Sequence, residues 1–237
     1  MKLIGIDSSG LVAGVAVWQD GVLLAERLVN YKKTHSQTLL PMLAQIREEL
    51  ELDLSAVDAV AVASGPGSFT GLRIGSATAK GLGFVMECPI VEVPTLEGLA
   101  YRMWGTRSLI CPVMDARREQ VYTGIYELAP EEEAVPVPVW EQRAVSVTEA
   151  AEKLNALGRE VLFLGDGVRV YREKLDDLLQ VPHGYAPAHL ALQSAGAVAS
   201  LGAIYLKQGR FVQAADHAPE YLRSSQAERS GPKDFEI

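Results

Sequence analysis

Cysteine, histidine and long apolar runs are all scarce in this chain, and each scarcity closes off a class of function. Only two cysteines occur among 237 residues, Cys88 and Cys111, both in apolar runs of strand type. With no Cys-x-x-Cys pair, they read as free thiols of a reducing compartment rather than as a disulfide. The four histidines, His35, His183, His189 and His217, include no pair at the spacing of helical zinc ligands. Basic residues are outnumbered: 22 Lys and Arg against 30 Asp and Glu give a net charge of −8. The bulk surface is therefore no footprint for nucleic acid. No run reaches membrane-spanning length. Lys2 leads into a short strand pattern rather than a long apolar core, so no secretion signal is expected and the cytoplasm is the expected compartment. A Gly-x-Ser-x-Gly elbow is missing too. The residues alone supply no strong catalytic constellation.

What the chain does have is one organising stretch, residues 57–84, VDAVAVASGPGSFTGLRIGSATAKGLGF. An apolar strand run (Val60 to Ala63) meets a Ser-Gly-Pro-Gly-Ser turn, and a long helix follows with Ser68 or Thr70 as its N-cap. Along that helix Gly71, Gly75, Ala79 and Gly83 recur every fourth residue, so they share a face that is almost bare backbone. Each helical glycine costs about 1 kcal/mol relative to alanine, so such a face implies close packing. The packing could be internal or against a partner. The turn is no Walker loop, because Leu72-Arg73 follow Gly71 where Lys-Ser/Thr is required. Gly65, Gly67 and Gly71 also miss the dinucleotide spacing.

The chain opens as a meander: strands over 3–6, 12–18 and 22–29, with Asp20-Gly21 as a hairpin turn. Asp7-Ser8-Ser9 closes the first strand. A helix is expected over 34–50, with Thr34 and Gln37 as a capping box and His35 at its start in a capping rather than a catalytic role. Pro41 should kink it or push its start later. Leu39, Leu40, Met42, Leu43, Ile46 and Leu50 form a band wide enough for burial on two sides. A strand over 89–93 and a helix from Thr95 complete a first lobe, 1–104. The second lobe, 105–223, begins in the same way: a strand over 109–114 ends at Asp115 and a return strand runs over 121–126, an echo of Asp7 and its hairpin. Helices are expected from Thr148, over 168–179 and over 190–206, with a strand over 161–164. The last helix is placed in the second lobe with a possible return to the first. Residues 224–237 read as a polar tail.

Gly65-Pro66-Gly67-Ser68-Phe69-Thr70-Gly71-Leu72-Arg73-Ile74-Gly75 is the most specific run. Together with Ile6-Asp7-Ser8-Ser9, His35-Ser36, Leu40-Pro41, Asp115-Ala116-Arg117, Val121-Tyr122 and Pro219-Glu220-Tyr221-Leu222-Arg223, it resembles the TsaB family (older name YeaZ) over nearly the whole chain. That resemblance implies an α/β fold, the actin-like ATPase and sugar-kinase superfold, with two related lobes of mixed sheet flanked by helices. It implies a part in forming N6-threonylcarbamoyladenosine in tRNAs reading codons that begin with A. TsaB would act there as a non-catalytic paralogue that pairs with and activates the transferase TsaD. TsaD carries Asn-His-Leu-Glu-Gly-His, whose histidines hold a metal. Here Pro94-Thr95-Leu96-Glu97-Gly98-Leu99 puts Thr95 and Leu99 at those places, and neither replaces an imidazole.

Under this resemblance no catalytic residue, metal ligand or cofactor is expected, with nucleotide held at most at the partner interface. Leu39, Met42, Leu43, Ile46, Gly71, Gly75, Ala79 and Gly83 are the expected partner surface. Asp7, Ser8, Ser9, Asp115 and Arg117 are candidates for residual phosphate contact, although Ala116 and Arg117 should crowd the second turn. TsaD as heterodimer, TsaE in a larger complex, a homodimer when alone and tRNA through the complex are the expected partners. Gly75→Leu or Ala79→Arg is expected to abolish pairing and spare the fold. The rivals are an independent ATP-dependent kinase or acyltransferase of the same superfold, and a metallopeptidase, which the missing ligands disfavour.

Overall fold

The Asp20-Gly21 turn sets the first sheet. Both residues hold positive φ, 47° and 88°, as a two-residue hairpin with right-twisted strands requires. The turn joins β2 (Ala13–Gln19) to β3 (Val22–Val29), and β2 pairs antiparallel with β1 (Lys2–Asp7). β4 (Ala59–Gly65) is buried along its whole length and runs parallel to β1, and β5 (Ile90–Pro94) runs parallel to β4. The resulting order is β3-β2-β1-β4-β5. The computed structural model describes residues 1–30 and 35–223. Thr34 as a capping residue and the tail 224–237 lie outside the described residues.

α1 spans Leu39–Glu49 after a short 3-10 turn at His35–Gln37. Pro41 falls in its first turn, where a missing N–H costs nothing, so the proline delays the helix rather than kinking it. α2 spans Phe69–Met86, capped by Ser68 Oγ accepting from Gly71 N, and it ends on Glu87 in the left-handed region. α3 (Thr95–Tyr101) follows β5.

The second half repeats this plan. β6 (Leu109–Asp115), β7 (Gln120–Glu127) and β8 (Val137–Ser146) form the meander, and α4 (Val147–Leu157) follows. Then come β9 (Val161–Leu164), α5 (Val168–Leu178), β10 (His183–Tyr185) and α6 (Ala195–Lys207). Read from its meander edge, the second sheet runs β8-β7-β6-β9-β10, strand for strand the order of the first. The helix begins one residue before Thr148, at Val147, and is capped by Ser146, whose Oγ accepts from Glu149 N. β10 has no apolar alternation to betray it.

The closing helices of the two repeats leave their own halves. α6 lies on the first sheet, where Ala195, Val198, Ala199 and Leu201 bury Leu3, Ala16, Ala61 and Val93. α3 packs Leu96 and Leu99, with Met103 just past its end, against Ile110, Met114 and Tyr126 of the second sheet. α1 and α2 cover the opposite face of the first sheet from α6.

Candidate functional site

The glycine stripe of α2 faces inward. Gly71, Gly75, Ala79 and Gly83 are all buried within the chain. A Cβ on Gly71 would overlap Ser8 O, one on Gly75 would overlap Ser8 Oγ, and one on Gly83 would stand 3.0 Å from Ala214 Cβ. The stripe exists because the turn after β1 lies directly on α2, close enough for Ser8 Oγ to donate to Gly71 O at 2.8 Å. Leu39, Met42, Leu43 and Ile46 turn inward as well, into the core between α1 and the strands. The expected partner residues are thus core residues of the first half. Gly75→Leu and Ala79→Arg would break the fold rather than probe a partner.

The outward faces of the same helices carry exposed apolar residues, beside Gln45, Arg47, Glu48 and Glu49 on α1 and Thr70 and Arg73 on α2. On α1, Leu40 (55% exposed), Pro41 and Ala44 point to solvent. On α2 the exposed residues are Thr70, Arg73, Ala77, Gly81, Phe84 (59%) and Val85 (81%). A side chain at Gly81 would meet nothing within 4 Å.

A second constellation lies where β1 and β6 end. Asp7 is buried and accepts from Ser9 N at 2.9 Å and Ser9 Oγ at 2.6 Å; burial raises its carboxyl to about 6. Ser9 O accepts from Ser68 N, and His35 Nε2 lies 3.0 Å from Gly10 O. Ser8 and Ser9 therefore spend their hydroxyls on α2 and Asp7, which removes them as free phosphate donors. His35 ties down the turn rather than capping a helix. Asp115 stands differently: its Oδ1 accepts from Arg117 N at 2.8 Å and Tyr171 OH at 3.2 Å, and Arg117 Nη1 lies 3.2 Å from Oδ2 with its side chain 84% exposed. Arg117, Arg118 and Glu119 all hold positive φ, so the turn is tight despite having no glycine.

Two residues here escape sequence reasoning. Asp166, in the turn before α5, is raised to about 6 by burial, with Oδ1 unpartnered. Gln193 is 2% exposed and neither amide atom finds a partner. The cues were present in Gly165-Asp166-Gly167 and in the cap Ser194, but neither implies a buried polar atom. At the two positions where the transferase pattern carries histidines, Thr95 is buried with Oγ1 unpartnered and Leu99 lies in apolar core. Among the described residues no three His, Cys, Asp or Glu side chains gather as metal ligands would.

The fold and these sites have counterparts. The family model described as TsaD, tRNA N6-adenosine threonylcarbamoyltransferase, matches residues 23–230. The tRNA threonylcarbamoyladenosine biosynthesis protein TsaB of Bacillus subtilis (strain 168) is 32% identical over 241 residues, 96% of either chain. A crystal structure from Pseudomonas aeruginosa, described as an uncharacterized protein with similarity to peptidase YEAZ, superposes with a TM-score of 0.80. It is 29% identical, over 94% of this chain and 99% of that one. Component A of the Acidaminococcus fermentans (R)-2-hydroxyglutaryl-CoA dehydratase shares the fold alone: TM-score 0.50, 11% identity, 88% and 99% coverage. The architecture is that of the actin-like ATPase and sugar-kinase superfold. On a likeness that runs the length of the sequence and holds in three dimensions, this chain belongs to the TsaB (YeaZ) family.

Proposed function

We propose that this chain is a non-catalytic subunit in the formation of threonylcarbamoyladenosine in tRNA, acting by binding and activating the transferase TsaD. Membership of the TsaB family ties it to that modification. The observation that carries the subunit reading is the outward face of α1 and α2, where Leu40, Pro41, Ala44, Ala77, Gly81, Phe84 and Val85 are exposed on one side of the first sheet. Exposed apolar residues gathered on one face mark a surface that another protein covers. The small residues Ala77 and Gly81 admit a partner helix at short range. Alone, the chain would pair with itself through this face. With TsaD it forms the heterodimer to which TsaE and tRNA are added, and the reading assigns the chain no cofactor of its own and a place in the cytoplasm.

The test is a reconstitution with TsaD of the same organism. Phe84→Glu and Gly81→Leu should each weaken the heterodimer by a hundredfold or so, as loss of an interface anchor does. The modified nucleoside should fall with it. The melting temperature of the lone variant should stay near wild type, because neither side chain touches the core. Both variants binding TsaD like wild type, or transfer by the lone chain, would overturn the proposal.

A further inference from the structure

The segment after α6, residues 208–223, wraps round the first sheet and ends on the second half. α6 and α2 cover opposite faces of that sheet, so the chain must pass an edge to reach α2. It does so at β5, the edge strand: Ile90 and Val212 exchange both backbone hydrogen bonds at 2.9 Å. It then follows one flank of α2. Ala214 packs against Gly83, and Lys80 Nζ donates to Ala215 O at 2.9 Å and His217 O at 3.0 Å. The His217 side chain is fully buried, with Nδ1 2.6 Å from Glu92 Oε1 of β5. Further on, Glu220 N donates to Ser64 O at 2.7 Å. Gly65 holds φ +132° there, and Glu220 O leaves no room for a Cβ. The Tyr221 ring lies 4.9 Å from that of Phe69, and its hydroxyl accepts from Arg73 Nε at 3.2 Å. Phe69, Arg73, Lys80 and Gly83 form a single flank of α2, spaced as one side of a helix demands.

The last contacts of the segment belong to the second half. Gln142 Nε2 of β8 donates to Glu220 Oε2 at 3.0 Å. Arg223 Nη1 donates to Ala116 O at 2.9 Å, in the turn between β6 and β7. The halves are also tied by the apolar layer of α3, helped by Arg102 donating to His189 O and Leu190 O, and by the β7–β8 loop, where Val135 packs on the first-sheet core and Glu133 meets Lys207 of α6. Two sheets joined mainly along the α3 layer and the β7–β8 loop beside it can rock about that seam. A second tie at a distance removes that freedom.

We propose that residues 211–223 are a clasp that fixes the second half against α2, holding the halves in one relation that rocking about α3 would otherwise blur. The segment divides into an anchor and a latch. The anchor, Val212 to His217, buries Ala214 and His217 and is bonded to β5 and α2. The latch, Glu220 to Arg223, rests on a few exposed or half-buried polar contacts and one aromatic pair. Net hydrogen-bond strengths of that kind are small, so the latch opens on its own while the anchor stays seated. The outward face of α2 is thereby mechanically joined to the turn at Asp115-Ala116. This inference stands whether or not that face binds a partner.

Amide hydrogen exchange on the full chain tests it, with Arg223→Ala, Tyr221→Ala and the exposed control Arg118→Ala. Ala116 N and Gln120 N are hydrogen-bonded within the β6–β7 turn and report its protection. Losing the Arg223 contact should speed their exchange about tenfold, since a bond to a charged donor is worth roughly that factor. Tyr221→Ala should do the same and free Glu220 N as well, with β1 and β4 unchanged in both. Spin labels at Gln45→Cys and Glu173→Cys, one on each half, should show a distance distribution that broadens in an Arg223→Ala, Gln142→Ala background; Cys88 and Cys111 are buried and do not label. Unchanged exchange at residues 116–120 overturns the clasp. So does faster exchange there with no broadening, or acceleration spread evenly over β1 and β4, which reports general loosening.

Discussion

α2 and α5 hold the same place in the two repeats, each following the fourth strand of its sheet, yet the bodies of the two helices meet their sheets differently. α2 comes down on the turn after β1 until backbone touches backbone, and glycines at 71 and 75 make that possible. α5 touches β6 backbone to backbone only at its N-cap, where Gly167 N donates to Val113 O, and its body reaches the turn after β6 with a side chain, the Tyr171 hydroxyl on Asp115. The outer faces differ as well. α2 shows Ala77, Gly81, Phe84 and Val85 to solvent, whereas α5 shows Arg172, Glu173, Asp176 and Asp177. The lesson is that one topology was tuned twice. The first half is sealed around Asp7 and leaves the later turns of α2 apolar outside, while the second is open around Asp115 and carries charges along the outside of α5.

The largest effect should come from opening the seal. Gly75→Leu drives a side chain into Ser8 and should cost about 3 kcal/mol or more, read as a drop in melting temperature. Gly81→Leu, two turns along on the outer face, should be neutral or stabilise by up to about 1 kcal/mol, because it meets nothing and improves helix propensity. Equal damage from the two would erase the distinction between the faces.

The buried carboxyls give the next effect. Asp7 is held to about 6 by burial, above the ordinary aspartate value of 3.8. The folded state therefore binds the proton more tightly than the unfolded chain, and stability falls as pH rises from about 4 through about 6. Asp7→Asn keeps the acceptor for Ser9 and should stabilise by about 1–3 kcal/mol at pH 7.5, a gain that vanishes near pH 4. Asp166→Asn should follow the same curve. A gain for either that does not change with pH would show that burial of the charge is not its cause. The smallest effect is Tyr171→Phe, which deletes the side-chain contact to Asp115 and should cost about 0.5–1 kcal/mol in denaturant unfolding. A loss as large as that of Gly75→Leu would mean the second turn is no looser than the first.

Much of this architecture is legible in the residues. Asp20-Gly21 fixes a hairpin, the run before Gly65 fixes a buried strand, and Asp7 and Asp115 at matching strand ends disclose the repeat. The glycine stripe also announces close packing. What it packs against is not local: Ser8 lies more than sixty residues earlier, brought there by the parallel pairing of β1 with β4. Periodicity reports which side of a helix is bare and is silent on which neighbour fills the gap. The inward and outward faces of α2 are both rich in small residues, so only burial separates Gly75 from Gly81. Asp166 and Gln193 were invisible for a different reason. A single polar residue between glycines or before a cap looks like an ordinary turn until its surroundings are known.

The exchange of closing helices has a consequence for how the molecule is made. During synthesis the first sheet emerges with Leu3, Ala16, Trp18 and Ala61 bare on one side, because the helix that roofs them is encoded nearly at the far end. A nascent chain stopped after residue 104 carries an unfinished, adhesive sheet, and neither repeat can mature before translation is nearly complete. Cutting the gene at its internal duplication would therefore yield two orphans rather than two working modules.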